Sequence, residues 1–197
     1  MGATDPVADA VQPARRLFVI SGPGGVGKGT VVAQLRRCLP DLAVSVSATT
    51  RAPRVGEVDG VHYHFVDDAA FDRMVAEDAF LEWAEFAGSR YGTPWSSVEG
   101  ALRSGREVVL EIEISGARQV RSRLPGAVLV FLAPPSVQEL GTRLRRRGTD
   151  DPAQVTRRMV LARWEMERAE EFDHVVVNRT VEQAACDISR ILGSAPA

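Results

Sequence analysis

Short apolar runs alternate with longer stretches of helical spacing along most of the chain. Leu17-Phe-Val-Ile20 is a run of β-formers ending in a Gly-rich turn, the pattern of a strand buried on both faces. From Lys28 to Leu39, the spacing of Val31, Val32, Leu35 and Leu39 predicts a helix, and Pro40 stops it. The strand pattern returns at Glu107–Ile114, Ala127–Leu132 and His174–Val177. Helical patterns follow each, at Ser115–Arg123, Ser136–Arg146 and Thr180–Leu192. Such alternation predicts βαβ units, hence an α/β fold with a parallel sheet flanked by helices.

The stretch from Ser45 to Ser97 breaks this rhythm. Pro, Gly and charged residues crowd Arg51–Gly60, and Val61-His-Tyr-His-Phe-Val66 then alternates with period two. A helix is expected over Asp68–Asp78 and a strand over Phe80–Phe86. The segment reads as an inserted subdomain with its own small sheet. Around Arg147–Gln154 a polar stretch with Gly and Pro separates two helical segments, as a lid would.

Composition narrows the class. Hydrophobic residues make up 45% and charged residues 25%, ordinary for a globular chain with an ample core. A net charge of −2 argues against a general nucleic-acid binder. No apolar run approaches the ~20 residues needed to span a bilayer. Met1–Arg16 is rich in Ala, Asp and Pro without an apolar signal core, so it reads as a disordered tail, not an export peptide. Pro6 stands where a myristoylation signal needs Ser or Thr. Cys38 and Cys186 lack surrounding metal-ligand patterns and read as reduced thiols of a cytoplasmic protein.

The turn after the first strand carries the first chemistry. Gly22, Pro23, Gly24, Gly25, Val26, Gly27, Lys28, Gly29 and Thr30 join that strand to the first helix. Successive N–H groups of such a loop converge on phosphate, the helix N-terminus adds partial positive charge, and Lys28 adds a full one. This predicts nucleoside-triphosphate binding and no more. The residue after Lys28 is Gly29, and the hydroxyl comes one place later, at Thr30. A metal ion at the phosphates is then held by Thr30, through water, or mainly by the nucleotide. The Gly-Lys-Gly-Thr ending is similar to that of adenylate kinases.

The next segment is more specific. Ser47-Ala-Thr-Thr-Arg51-Ala-Pro-Arg54-Val-Gly56-Glu57-Val-Asp59-Gly60-Val-His-Tyr63-His-Phe65 closely resembles the acceptor-site signature of guanylate kinases, P-loop nucleoside monophosphate kinases. Phe80-Leu-Glu82-Trp83-Ala-Glu-Phe86 with Tyr91-Gly92-Thr93 resembles that family's second recognition segment, and the similarity runs from Leu17 to Leu192. It implies a P-loop NTPase-type sheet in a single domain over 17–197, beyond a tail at 1–16. Within it, the core would be 17–44, 98–142 and 169–197, the GMP-binding subdomain 45–97 and the lid 143–168.

The resemblance also implies residue roles. Arg51 and Arg54 would grip the GMP phosphate, helped by Tyr63 and Tyr91; two guanidinium forks suit a phosphate dianion. Glu57 belongs to the same acceptor site. Glu82 would accept guanine N1–H and the 2-amino group together, with Ser47 and Thr93 completing the base pocket. Glu111 would reach the acceptor ribose or base, and Glu113 the Mg²⁺–phosphate cluster; i, i+2 spacing puts both on one strand face. The family usually has Asp at the second position, so Glu113 is a departure. Arg147 and Arg158 would clamp the transferring group beside Lys28, and Asn178 would touch adenine, although Arg179 follows where an acid is more usual. His62, His64 and His174 fit no catalytic pattern.

The implied activity is Mg²⁺-dependent transfer of the γ-phosphate of ATP to GMP, with dGMP as a second acceptor, in purine nucleotide metabolism. No nucleic-acid or membrane partner is expected, and the residues leave monomer or homo-oligomer open. Two other readings stand beside it: a phosphotransferase for another acceptor, and a binding module without catalysis. Glu82 with Ser47 argues against the first. Intact Lys28, Arg51, Arg54, Arg147 and Arg158 argue against the second.

Overall fold

A computed structural model describes residues 17–86, 88–147 and 151–194, excluding the side chains of Arg147 and Ser194. The expected tail at 1–16, the side chain of Arg147 and the lid residues Gly148–Asp150 lie outside the described residues.

β1 (Leu17–Ser21) is buried along its whole length, as its apolar run requires. It lies between β7 (Val108–Glu111) and β8 (Val128–Ala133), while β2 (Ala43–Val44) and β9 (His174–Val177) form the edges of the five-stranded parallel sheet β2-β7-β1-β8-β9. Its register sets Ile20 beside Glu111 and Ser21 beside Phe131. The glycine loop after β1 therefore leaves the same sheet edge as the end of β7, the edge where ligands bind in such folds.

Alternation along β1 divides the core. Leu17 and Val19 pack with Leu110, Phe131 and residues of α3 (Ser96–Arg103) and α4 (Ile114–Arg123). Phe18 and Ile20 face the other way, onto α1 (Lys28–Cys38) and α7 (Val181–Ser194). Both faces are covered, as the βαβ reading requires.

A second sheet holds β4 (His64–Phe65), β3 (Ala48–Thr49), β6 (Ser89–Pro94) and β5 (Phe80–Phe86), in that order. Its core includes Ala48, Phe71 of α2 (Asp68–Ala76) and Phe80, the two rings stacked with centroids 4.5 Å apart. α4 ties this sheet to the core. Gln119 Nε2 donates to the Trp83 carbonyl at 2.7 Å, and the Trp83 N–H returns to Gln119 Oε1 at 3.2 Å.

α5 (Val137–Arg147) and α6 (Pro152–Met166) pair through Leu140, Leu144, Val155 and Ala162. The polar signal before α6 is a start signal: Asp151 and Gln154 form a capping box ahead of Pro152. A 3-10 turn at Ala169–Glu171 leads into β9.

Two expectations need correction. Val61–Val66 is not a strand throughout; only His64 and Phe65 form a strand, and Tyr63 makes an isolated bridge to Asp59. Turn hydrogen bonds claim the rest: Val61 N donates to Val58 O, Val58 N to His62 Nδ1, and Gly60 N to Tyr63 O. The strand expected over Glu107–Ile114 ends at Glu111, and Glu113 caps α4 in extended conformation. Glu111 and Glu113 are thus not neighbours on one strand face. They still come together near Lys28, which pairs with Glu113 and acts electrostatically on Glu111.

Candidate active site

The Gly-rich loop folds as its composition demands. Gly27 caps α1 with φ 100°, a left-handed backbone that side chains disfavour. Gly22 also has positive φ, and a Cβ there would collide with the Leu132 carbonyl of the neighbouring strand. α1 carries no acid in its first turn, so its positive end is not cancelled. Lys28 Nζ, buried under the loop, donates to Gly22 O at 2.6 Å and pairs with Glu113 Oε1 at 3.3 Å.

A cleft of about 790 Å³ opens over this loop, lined among others by Gly27, Gly29, Thr30, Glu111, Arg143 and Arg146. Thr30 and Gly29 are exposed to it. Glu111, exposed at the end of β7, receives the Gly29 N–H, and the protein around it in the cleft thins its solvation enough to raise its pKa. Lys28 opposes that rise and Glu113 adds to it. A Cβ at position 29 would stand 3.3 Å from Glu111 Oε2, a tight contact that a small shift of the Glu111 side chain relieves.

Asn178 supports the loop from behind. Its amide donates to Val26 O at 2.8 Å, its own N–H goes to Ala133 O, and Arg143 donates to Asn178 O at 3.1 Å. Only 3% of it is exposed and it does not line the cleft, so its observed contact is with the phosphate loop.

On the acceptor side, Arg51 gives one guanidinium nitrogen to both oxygens of Glu57, at 2.8 and 3.0 Å. It lies over the rings of Tyr63 and Phe65, at 5.5 and 5.9 Å. Glu57 also accepts the Arg54 N–H at 2.7 Å. These bonds raise the Arg51 pKa and lower that of Glu57. The Arg54 side chain is exposed. Tyr63 and Tyr91 meet edge to face at 5.9 Å, and burial, then nearby Glu111, raises the Tyr63 pKa.

Glu82 is 5% exposed on β5. Its Oε1 accepts from Thr93 N at 2.9 Å and Thr93 Oγ1 at 2.6 Å, and Ser47 Oγ lies 3.4 Å from Thr93 Oγ1. Burial raises the Glu82 pKa while the Thr93 bonds pull it down. Thr93 occupies two of the roughly four acceptor positions of a carboxylate. Ser47, Glu82 and Thr93 are therefore brought together as expected from the resemblance.

The matches with known proteins extend over the same elements. The family model for guanylate kinase matches residues 14–195. The chain belongs to the guanylate kinase family. It is 56% identical to a guanylate kinase of Thermobifida fusca (strain YX), over 92% of each chain. It is 52% identical to a guanylate kinase of Streptomyces coelicolor, over 94% of this chain and 93% of that one. A crystal structure of guanylate kinase from Anaplasma phagocytophilum superposes with a TM-score of 0.75 at 34% identity, covering 90% of this chain and 84% of that one.

Arg158 is half-buried on α6, the helix that also carries Glu165. Glu165 was not expected at all. Only 3% is exposed, Oε2 has no hydrogen-bond partner among the described residues, and its pKa is pushed up to about 8. Burial is the larger cause and the adjoining Glu113 the next. Its sequence signal was weak: one acid in a charged helix, with burial visible only in three dimensions.

Proposed function

We propose that the protein transfers the γ-phosphoryl group of ATP to GMP, giving ADP and GDP. Glu82 carries the reading. A buried carboxylate is costly unless a ligand or the protein supplies donors. Guanine offers N1–H and the 2-amino group side by side, whereas adenine presents an acceptor at N1 and would leave the carboxylate short. Arg51, set by Glu57, and Arg54 take the acceptor phosphate, with Tyr63 and Tyr91 donating to it. The loop N–H groups and Lys28 take the donor phosphates, and Arg147 and Arg158 neutralise the group in flight. Positioning and charge neutralisation dominate phosphoryl transfer, so no covalent enzyme intermediate is needed.

Mg²⁺ fits this donor set. Among the described residues no group of three or more His, Cys, Asp or Glu forms a ready-made cage. Mg²⁺ commonly relies on one or two carboxylates, water and substrate phosphates instead. Thr30 and Glu113 would hold it, directly or through water, and it would neutralise phosphate charge. dGMP would be a comparable or poorer acceptor. Among the described residues no helix is long and apolar enough to cross a membrane. With both nucleotides found in the cytoplasm, we place the enzyme there.

A coupled assay with ATP and, in turn, GMP, dGMP, AMP, CMP and UMP tests the reading. GMP should be the preferred acceptor and turnover should require a divalent ion. Preference for another base, or binding of GMP without turnover, would overturn it.

A further inference from the structure

We propose that Gly116 determines base specificity: its missing side chain forms the slot that holds the Glu82 carboxylate in register with the guanine edge. The inference rests on the reading of Glu82 above.

Gly116 is a buried residue in the first turn of α4. A Cβ built on it would stand 3.0 Å from Glu82 Cδ, nearer still to Oε2, and 3.2 Å from Ile112 Cδ1. Something must move, and the surroundings decide what. Gln119 lies three residues on, on the same helix face, and holds both the N–H and the C=O of Trp83, the residue after Glu82. β5 is also paired with β6 on its other side. Helix and strand are thus fastened to each other around the slot, and the Glu82 side chain is the part free to yield. When it yields, Oε1 leaves the two Thr93 donors that fix it.

A methyl group at Gly116 would therefore act on recognition more than on folding. Alanine normally strengthens a helix relative to glycine, so propensity gives no reason for loss of the fold. Gly100 in α3 is the internal control, because a Cβ there meets nothing within 4 Å. The acceptor pair that reads the effect is GMP and inosine monophosphate. They share phosphate, ribose, O6 and N1–H, and differ only in the 2-amino group.

The experiment measures kcat/KM for both acceptors in wild type, Gly116→Ala, Gly100→Ala, Glu82→Gln and the Glu82→Gln/Gly116→Ala double variant. The Gly116→Ala chain should lose roughly tenfold of its preference for GMP over inosine monophosphate, with KM for ATP unchanged. Gly100→Ala should behave as wild type, and the double variant should resemble Glu82→Gln. A Gly116→Ala enzyme with wild-type preference overturns the slot while leaving the Glu82 reading intact. Absence of preference in wild type, or unchanged preference in Glu82→Gln, overturns both. If Gly116→Ala does not fold, Glu82→Ala in the same chain decides. Recovery of folding assigns the collision to Glu82 and supports the slot; failure to recover overturns it.

Discussion

Glu165 lies close enough to Glu113, beside Lys28, for that second acid to raise its proton affinity. The folded protein binds a proton at Glu165 more tightly than the unfolded chain does, raising its pKa from an ordinary 4.5 to about 8. As pH rises through the lower value the unfolded group ionises first, and stability falls until the folded group ionises as well. Glu165→Gln keeps the shape and a hydrogen-bond donor but cannot ionise. Relative to this variant, wild type should lose on the order of a few kcal/mol between about pH 5 and pH 9. Urea melts of both proteins across that range check it; parallel curves would remove Glu165 as a buried acid.

Arg51 and Arg158 should fail in different ways. On the proposed roles, Arg51 and Arg54 hold the acceptor phosphate in the ground state, so their alanine variants should raise KM for GMP strongly. Arg147→Ala and Arg158→Ala should instead cut kcat on the order of 10²-fold, with smaller effects on GMP affinity. Steady-state kinetics with calorimetric GMP binding separates the cases. Arg147 or Arg158 variants that lost GMP binding but kept kcat would make those arginines acceptor groups.

Asn178→Ala removes the shorter of two side-chain donors to Val26 O, 2.8 Å away behind the phosphate loop, and leaves Arg143 Nη1 at 3.4 Å. Losing that hydrogen bond costs about 0.5–1.5 kcal/mol, and a loosened loop binds phosphate less well. Thermal melts should show the loss, and KM for ATP should rise several-fold while calorimetric GMP affinity stays unchanged. A change confined to adenine selectivity would instead support a direct contact with the base.

Thr30 offers an exposed hydroxyl at the cleft where Gly29 offers none. Thr30→Val should shift the Mg²⁺ dependence of turnover to higher concentration, by roughly the three- to tenfold expected of one lost hydrogen bond. A magnesium titration at fixed ATP reads it directly. An unaltered titration would leave Glu113, water and the nucleotide as the holders.

Legibility in the sequence followed periodicity. β9 begins and ends as expected, and β1 with α1 nearly so, because buried parallel strands are continuous apolar runs and glycine or proline closes them. β3 and β6 escaped notice: one is two residues long, and the other, Ser-Arg-Tyr-Gly-Thr-Pro, pairs without any run of β-formers. In the site, Lys28 was readable from its glycine loop, whereas Arg51 and Glu82 stood out through the resemblance of their motifs. Gly116, Gln119 and Glu165 were not readable. Their roles depend on distances between α4, β5, α6 and the sheet edge, and no local pattern encodes those.

The bond from Asn178 to Val26 joins positions 152 residues apart. A ribosome that has released the glycine loop and α1 has therefore not yet made the residue that braces them. Nor does β1 have both neighbours until β7 and β8 have emerged. Contacts this far apart close slowly, since chain entropy is lost before they form. A chain ending at residue 173 would carry the whole motif over 22–30 and lack its brace, so nascent chains of increasing length should gain tight ATP binding only after β9 is out. For the growing polypeptide, nucleotide binding is thus acquired late, long after the motif that encodes it has been translated.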